Sequence, residues 1–297
     1  MRYFFLLCIL LTATANSQSS QNIVFKGQLL DASTKAPVVY ANLSFLDTEK
    51  GISSNEDGTF RMYLDKKYLS GKIHVSCLNY LDTIVQASSL QNSILYLQPK
   101  NEVLNEILLS RKLEQKVELD PLKKGIISMH SRGLRMVAKY FPNTKKNKCC
   151  SYLTKITIEF PRRKNQNSKF RFRVFDVDEA TGKPSEDLLL ENIPVTISEN
   201  DTQVVLDVTD HNIKMPKNGF FVAFEKLFIP YNKYGKNEND PLEEGFYSPV
   251  IGVTKSKAFK KYSRNYIFTK GEWLELPYTK RGKLKGYVPA ISVTLTN

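Results

Sequence analysis

Apolar and polar residues alternate along much of this chain, which is the pattern of half-buried β-strands. The alternation is clearest in Tyr152–Phe160 and Phe170–Phe175. Similar runs predict further strands at Leu188–Ile197, Thr202–Val208, Gly219–Phe228, Phe246–Val253 and Ala290–Leu295. Asn, Asp, Gly and Pro separate these runs, as turn residues separate strands. The pattern therefore predicts an all-β fold.

Two further alternating runs lie near the N-terminus, at Gly27–Leu43 and Gly51–Phe60. Pro37 restricts φ at the entry to a strand. The pair Asp57-Gly58 is typical of a tight hairpin, because glycine adopts positive φ readily. The first block of the chain thus predicts short strands joined by close turns.

This block resembles the carboxypeptidase regulatory-like domain over residues 23–110, with matching segments at Lys72–Tyr80, Leu95–Pro99 and Leu104–Leu109. Such domains also begin many TonB-dependent outer-membrane receptors of Gram-negative bacteria. The resemblance implies a seven-stranded, transthyretin-like β-sandwich that carries out no chemistry. One departure is Cys77-Leu78-Asn79, where a small residue and a glycine are usual. A receptor would continue into a plug and a membrane barrel, so its function is not carried over to this chain.

A connector with a helix is predicted between two domains, over residues 111–145. Asp120-Pro121 is typical of a helix start, and apolar residues between Ile126 and Val137 follow at roughly helical spacing. Residues 146–297 then predict a second, jelly-roll-like β-sandwich. A strand and loop at Phe170–Pro184, followed by a strand at Leu188–Val195, resemble the second half of other exported proteins with a regulatory-like domain. This looser resemblance covers about residues 130–297 and implies no activity.

The first fifteen residues have the features of a secretory signal peptide. Arg2 precedes a short apolar run from Phe4 to Leu11, and Ala13-Thr14-Ala15 provides small residues for cleavage. The run is too short to span a bilayer, and no later stretch reaches that length. We therefore expect an exported protein of the periplasm, the outer-membrane surface or the medium, with no transmembrane segment in the mature chain.

Removal of residues 1–15 leaves three cysteines, Cys77, Cys149 and Cys150. An odd number excludes a complete set of disulfides within one chain, even in an oxidising compartment. Two interpretations stay open: three thiols without disulfides, or a bridge from Cys77 to one of the adjacent pair.

Positive charge is concentrated in the second half. Residues 16–100 contain 8 Lys and Arg against 7 Asp and Glu, whereas residues 131–297 contain 29 against 18, a net charge of +11. Alternation predicts that Phe170, Phe172 and Val174 face inward. It places Lys169, Arg171 and Arg173 on the opposite strand face, with the arginines as an outward row, near Arg162-Arg163-Lys164. Such a row favours an anionic polysaccharide, lipid headgroups or an envelope protein as partner, and export makes nucleic acid an unsuitable one.

A long polar and aromatic stretch at residues 230–247 is a second candidate for recognition. Tyr231 and Tyr234, with Trp273 further on, suit stacking on a sugar ring or a peptide. The alternative is a mobile surface insertion whose tyrosines fold back on the sheet.

Catalytic chemistry finds little support in the sequence. The chain has 3 histidines, His74, His130 and His211, without the acidic neighbours of a carboxypeptidase zinc site. His74 alternates with apolar residues and is predicted to face solvent. The acidic turn at residues 176–179 lacks the ligand spacing of a calcium loop.

We predict no catalytic, cofactor or metal site. We predict instead a non-catalytic cell-envelope binding or assembly module that recognises a glycan or a protein. The alternative is an exported hydrolase of unrecognised type acting on glycan or peptide.

Overall fold

The protein is represented by a computed structural model that describes residues 21–46, 48–100, 114–122, 127–129, 136–161, 166–235, 245–255, 264–276 and 287–297. These residues form an all-β structure, as the alternation predicted. The predicted signal peptide and His130 lie outside the described residues. Within them, no helix is both long and apolar enough to cross a bilayer.

Two sheets build the N-terminal part. Their strands are β1 (Asn22–Asp31), β2 (Asn42–Phe45), β3 (Gly51–Ser53), β4 (Thr59–Asp65), β5 (Lys72–Ser76), β6 (Thr83–Gln86) and β7 (Ile94–Leu97). One sheet has the order β4-β1-β7 and the other β3-β2-β5-β6. A 3₁₀ turn, Lys66–Ser70, and a short helix, α1 (Ala87–Leu90), join strands of different sheets. Buried apolar residues of both sheets, such as Phe25, Leu43, Phe60 and Val75, share one core.

The turn at Asp57-Gly58 does not close a hairpin, contrary to the prediction. Gly58 has the expected positive φ of 75°. A Cβ added there would lie 2.4 Å from the Leu29 carbonyl oxygen, so the position requires glycine. The flanking strands β3 and β4 belong to different sheets. The turn residues were therefore identified correctly, but they carry the chain from one sheet to the other.

The remaining strands form the larger C-terminal part. They are β8 (Lys116–Leu119), β9 (Ile127–Ser128), β10 (Met136–Phe141), β11 (Tyr152–Glu159), β12 (Ser168–Val177), β13 (Pro184–Asp187), β14 (Pro194–Ile197), β15 (Gln203–Asp207), β16 (Phe220–Lys226), β17 (Lys233–Tyr234), β18 (Phe246–Tyr247), β19 (Gly252–Lys255), β20 (Asn265–Thr269), β21 (Glu272–Glu275), β22 (Tyr287–Pro289) and β23 (Ile291–Thr296). Three 3₁₀ turns lie at Lys145–Asn147, Thr209–His211 and Pro230–Asn232.

A large sheet of order β13-β12-β16-β10-β20-β21, with β14 also paired to β12, faces a sheet of order β15-β11-β23-β8. Apolar residues of both, including Ile156, Phe172, Val222 and Val293, form one core. Smaller ladders, β22-β19-β9 and β17-β18, complete the described strands.

The predicted helix in the connector is wrong where the chain is described. Met136–Phe141 is a strand that pairs with β16 on one side and β20 on the other. Both faces of this strand are buried, which obscures the two-residue period and leaves an apolar run that also fits a helix. Lys116–Leu119 likewise pairs with β23 and belongs to the C-terminal sheets. Residues 123–126 and 130–135 lie outside the described residues.

The two parts of the molecule contact each other directly. Tyr40 of the N-terminal part is buried in a cluster with Leu227 and Ile229 of the C-terminal part. The Ser53 amide donates to the Phe228 carbonyl at 3.1 Å, and the Phe228 amide donates to the Ser53 hydroxyl at 3.0 Å. The outer face of the large sheet is therefore an internal surface next to the N-terminal sheets.

Candidate functional site

Arg171 and Arg173 do not form an exposed row. Arg171 is 0% exposed and Arg173 is 7% exposed. The alternation along β12 was predicted correctly, because Phe170 and Phe172 lie in the sandwich core. The opposite face, however, lies under the N-terminal part instead of solvent, since Arg171 donates to the Tyr40 carbonyl at 3.2 Å. The predicted anion-binding row is therefore wrong, and Arg162-Arg163-Lys164 lie outside the described residues.

Arg171 is the centre of a buried polar cluster between the two parts. Its Nε atom lies 2.5 Å from Glu225 Oε2 on the neighbouring strand, and its Nη1 donates to Asn192 at 2.9 Å. The other oxygen of Glu225 accepts from Asn42 of β2. Burial disfavours both charges, but their attraction outweighs it: the pKa of Glu225 lies below its usual value and that of Arg171 above.

Arg173 is neutralised in the same way. Its guanidinium forms two hydrogen bonds to the Asp187 carboxylate, one of them 2.8 Å long from Nε. The guanidinium also lies 4.7 Å from the ring centre of Phe175. The Arg173 pair joins β12 to β13, and the Arg171 cluster joins the two parts of the molecule. Neither arginine is therefore available to an external anion.

His74 is buried, contrary to the prediction that it faces solvent. It is 8% exposed, packs 5.8 Å from the ring centre of Phe268 and lies 3.0 Å from an Asp82 oxygen. Ser44 is directly across the ladder from His74, so a serine, a histidine and an aspartate lie next to one another. The Ser44 hydroxyl is buried and has no hydrogen-bond partner among the described atoms. The set therefore presents no activated nucleophile to solvent.

The three cysteines are free thiols, and Cys77 is remote in the fold from the adjacent pair. Cys77 lies in the core of the N-terminal part, whereas Cys150 lies in the core of the C-terminal part. The bridge between Cys77 and one of the pair, left open by the sequence, does not occur because the two cores are separate.

Tyr231 is held outward by a rigid turn. Its side chain is 54% exposed, and it lies in the 3₁₀ turn Pro230–Asn232. Asn232 is buried and anchors this turn to β12 and β16. It accepts from the Lys169 amide at 2.7 Å and donates to the carbonyls of Lys169 and Leu227 at 2.6 and 2.8 Å. The ring is therefore presented by a preorganised backbone.

A short aromatic hairpin lies next along the chain, formed by β17 and β18. The rings of Tyr234 and Phe246 pack 5.8 Å apart with a tilt of 33°, and Phe246 remains 42% exposed. Tyr247 packs behind them against Phe228. The residues 236–244 between the two strands are outside the described part. We call Tyr231, Tyr234 and Phe246, with Lys169 and Lys233, the aromatic hairpin surface.

Charged groups from both parts of the molecule border this surface. The Lys169 ammonium lies 2.6 Å from Glu56 and 5.6 Å from the ring centre of Tyr231. Glu56 also accepts from the Tyr40 hydroxyl at 2.6 Å. The hydrogen bond to Glu56 raises the pKa of Lys169, so this border carries charges of both signs. The sequence placed Lys169 on the same strand face as Arg171 and Arg173, but not beside Tyr231, and it did not single out Phe246 or Glu56. A glycine followed by an aromatic residue at the end of a long loop was the signal for Phe246.

Trp273 does not join the two tyrosines. It lies on β21, the edge strand of the large sheet, and packs against Phe175 and Phe268. Tyr231 contacts Lys169, which lies on β12. Four strand spacings, or about 19 Å, separate β12 from β21. Trp273 is half-buried against these two phenylalanine rings, so it does not form one stacking surface with Tyr231 and Tyr234.

The acidic turn at residues 176–179 is satisfied by the protein itself. One oxygen of Asp178 accepts from the amide and the hydroxyl of Thr181 at 2.7 and 2.6 Å. Glu179 accepts from Asn218 at 3.2 Å. These bonds lower the pKa of Asp178, and they account for the carboxylate as part of a turn.

No known family and no curated protein matches the chain. Among solved structures, it is similar to the cysteine protease and lectin-like domains of Cwp84, a surface layer associated protein of Clostridium difficile. That match has a TM-score of 0.38 and 10% identity, and it covers 92% of this chain. The chain spans 58% of the matched chain. A likeness of this degree supports no argument about activity, so the functional argument rests on the aromatic hairpin surface.

Proposed function

We propose that this protein is a non-catalytic binding module of the cell envelope, and that it recognises a glycan at the aromatic hairpin surface. The observation that carries the proposal is the exposure of Tyr231 and Phe246 on short, anchored backbone segments. Exposed apolar side chains that group into one patch often mark an interaction site.

The chemistry of this surface suits a sugar. A pyranose has an apolar face that packs on an aromatic ring and a rim of hydroxyls that donate and accept hydrogen bonds. Tyr231 supplies a ring, while Lys169 and Glu56 beside it supply a donor and an acceptor. The sequence of residues 236–244 contains four acidic residues and one lysine, so we favour a polyhydroxylated ligand over a strongly anionic one.

The architecture supports a docking role for the N-terminal part. Sheets of three and four strands around one core agree with a transthyretin-like sandwich of the regulatory-like type. Asn79 has a φ of 67°, a left-handed conformation that glycine and asparagine adopt more readily than other residues. We likewise propose a jelly-roll-like arrangement for the C-terminal part, and export directed by residues 1–15.

The class of ligand is tested by affinity electrophoresis of the mature protein through gels that contain one polysaccharide each. We use a neutral β-glucan, an N-acetylglucosamine polymer and a uronic-acid polymer. The proposal predicts retardation by at least one of the two uncharged polymers, and retardation that changes little between low and high salt. Retention by the uronic-acid polymer alone, abolished by salt, contradicts it, because ion pairing would then carry the binding.

A further inference from the structure

The adjacent residues Cys149 and Cys150 form a dithiol with a defined geometry. Their Sγ atoms lie 2.9 Å apart, in a turn between the 3₁₀ turn Lys145–Asn147 and β11. The Cys150 amide donates to the Asn147 carbonyl at 3.0 Å, and the Asn147 side chain donates to Met215 Sδ at 3.1 Å. After the cysteines, the Met215 amide donates to the Ser151 carbonyl at 2.7 Å, so the turn is anchored on both sides of the dithiol.

The two thiols differ in environment. Cys149 is exposed, whereas Cys150 is buried in the core of the C-terminal part. Burial raises the pKa of Cys150 to about 11. Because a thiolate is the attacking species and must reach its target, Cys149 is the thiol suited to an external reagent, and Cys150 is suited to a second, internal step.

Three exposed lysines lie within four residues of this dithiol in the sequence. Lys145, Lys146 and Lys148 occupy the same turn as the cysteines. Their charges favour the approach of an anionic reagent and disfavour a cationic one. The turn therefore combines an accessible thiol, a second thiol in contact with it, and a positive local field.

We propose that Cys149 and Cys150 form a thiol–disulfide exchange site for anionic, low-molecular-weight disulfides. The Cys149 thiolate attacks one sulfur of the disulfide, forming a mixed disulfide and releasing the first thiolate, which takes up a proton. The Cys150 thiolate then attacks Cys149 Sγ, and the second thiol leaves. The protein loses two electrons and two protons to form a disulfide between neighbours, and the small disulfide is reduced to two thiols.

The test is to incubate the reduced, full-length mature protein with glutathione disulfide, which is anionic, and in parallel with cystamine, which is cationic. We expect a product about 2 Da lighter, with Cys149 and Cys150 linked in one peptide. At low salt, the ratio of the rate with glutathione disulfide to the rate with cystamine should be about tenfold higher for the protein than for a small free thiol. High salt should remove this difference.

Variants separate the steps. Cys150→Ser should stop at a glutathione adduct on Cys149, Cys149→Ser should not react, and Cys77→Ser should behave as the parent protein. Substitution of Lys145, Lys146 and Lys148 by Gln should abolish the preference for the anion, whereas the same change at exposed Lys66, Lys67 and Lys72 should not. The proposal is overturned if the parent protein does not form the disulfide. It is also overturned if the two triple lysine variants show the same preference for glutathione disulfide over cystamine.

Discussion

Replacing Arg171 by methionine tests whether the buried cluster stabilises the contact of the two parts. Methionine retains an unbranched apolar side chain but removes the guanidinium, which lies between Glu225, Asn192 and the Tyr40 carbonyl. Arg171 and Glu225 are both 0% exposed in their side chains. After the substitution, the Glu225 carboxylate keeps Asn42 as its neighbour but loses the cation.

The expected cost follows from the uncompensated charge. Removal of one member of a buried ion pair typically costs about 3 to 5 kcal/mol, because the other charge stays desolvated. Removing both charges is far less costly, so Arg171→Met combined with Glu225→Met should recover most of the loss. The coupling between the two substitutions should therefore be about 2 kcal/mol or more and of favourable sign.

Urea unfolding of the parent, both single variants and the double variant at pH 7 measures these quantities. Arg61→Met, which removes an arginine from the exposed face of β4, is the matched control and should change stability by less than about 0.5 kcal/mol. A loss below about 1 kcal/mol for Arg171→Met, or a double variant that loses as much stability as the two single variants together, would show that the buried ion pair does not stabilise the contact.

Three other substitutions follow from buried polar groups. Burial lowers the pKa of Lys226 from 10.5 to about 8. Between pH 8 and 10.5, Lys226 is therefore protonated in the unfolded chain and mostly neutral in the folded protein. Stability should therefore rise by up to about 3 kcal/mol from pH 8 to 10.5, and unfolding of Lys226→Met should lack that rise. Asp120→Asn removes the carboxylate 2.6 Å from the buried Lys139 ammonium and should cost about 2 to 3 kcal/mol in urea unfolding, more than Lys139→Met does. Asn232→Ala removes three hydrogen bonds at the Tyr231 turn; it should lower the unfolding free energy by about 2 kcal/mol and weaken glycan binding in affinity electrophoresis, and unchanged binding contradicts the preorganisation argument.

Sequence periodicity predicted the strands well where one face meets the core and the other is polar. Tyr152–Phe160 and Thr202–Val208 are cases of this kind, since β11 and β15 match them closely. The prediction was less accurate at Leu188–Ile197, where only Pro194–Ile197 is a strand. It also merged β18 and β19 into one strand, because apolar residues continue through the turn between them.

The burial of Arg171 was not predictable from alternation. A two-residue period distinguishes the two faces of a strand, but it does not reveal that a second sheet covers the polar face. The acid that neutralises Arg171 is Glu225, which is 54 residues away in sequence and adjacent only through the pairing of β12 with β16. Tyr231 was identified as a candidate because its position follows from local turn chemistry, whereas Lys169 and Glu56 come together only through the contact of the two parts.

The proposed function requires that the exposed rings of the aromatic hairpin surface bind the glycan. Isothermal titration of the retarding polysaccharide into the parent protein, Tyr231→Ala and Phe246→Ala measures their contribution. Tyr63→Ala is the matched control, since Tyr63 is 40% exposed on the N-terminal sheet β4-β1-β7. Each of the first two substitutions should weaken binding about tenfold, or about 1.4 kcal/mol, and the control should leave the affinity unchanged. Equal affinities for the parent protein and both hairpin variants, or a loss confined to Tyr63→Ala, would show that the rings do not bind the glycan.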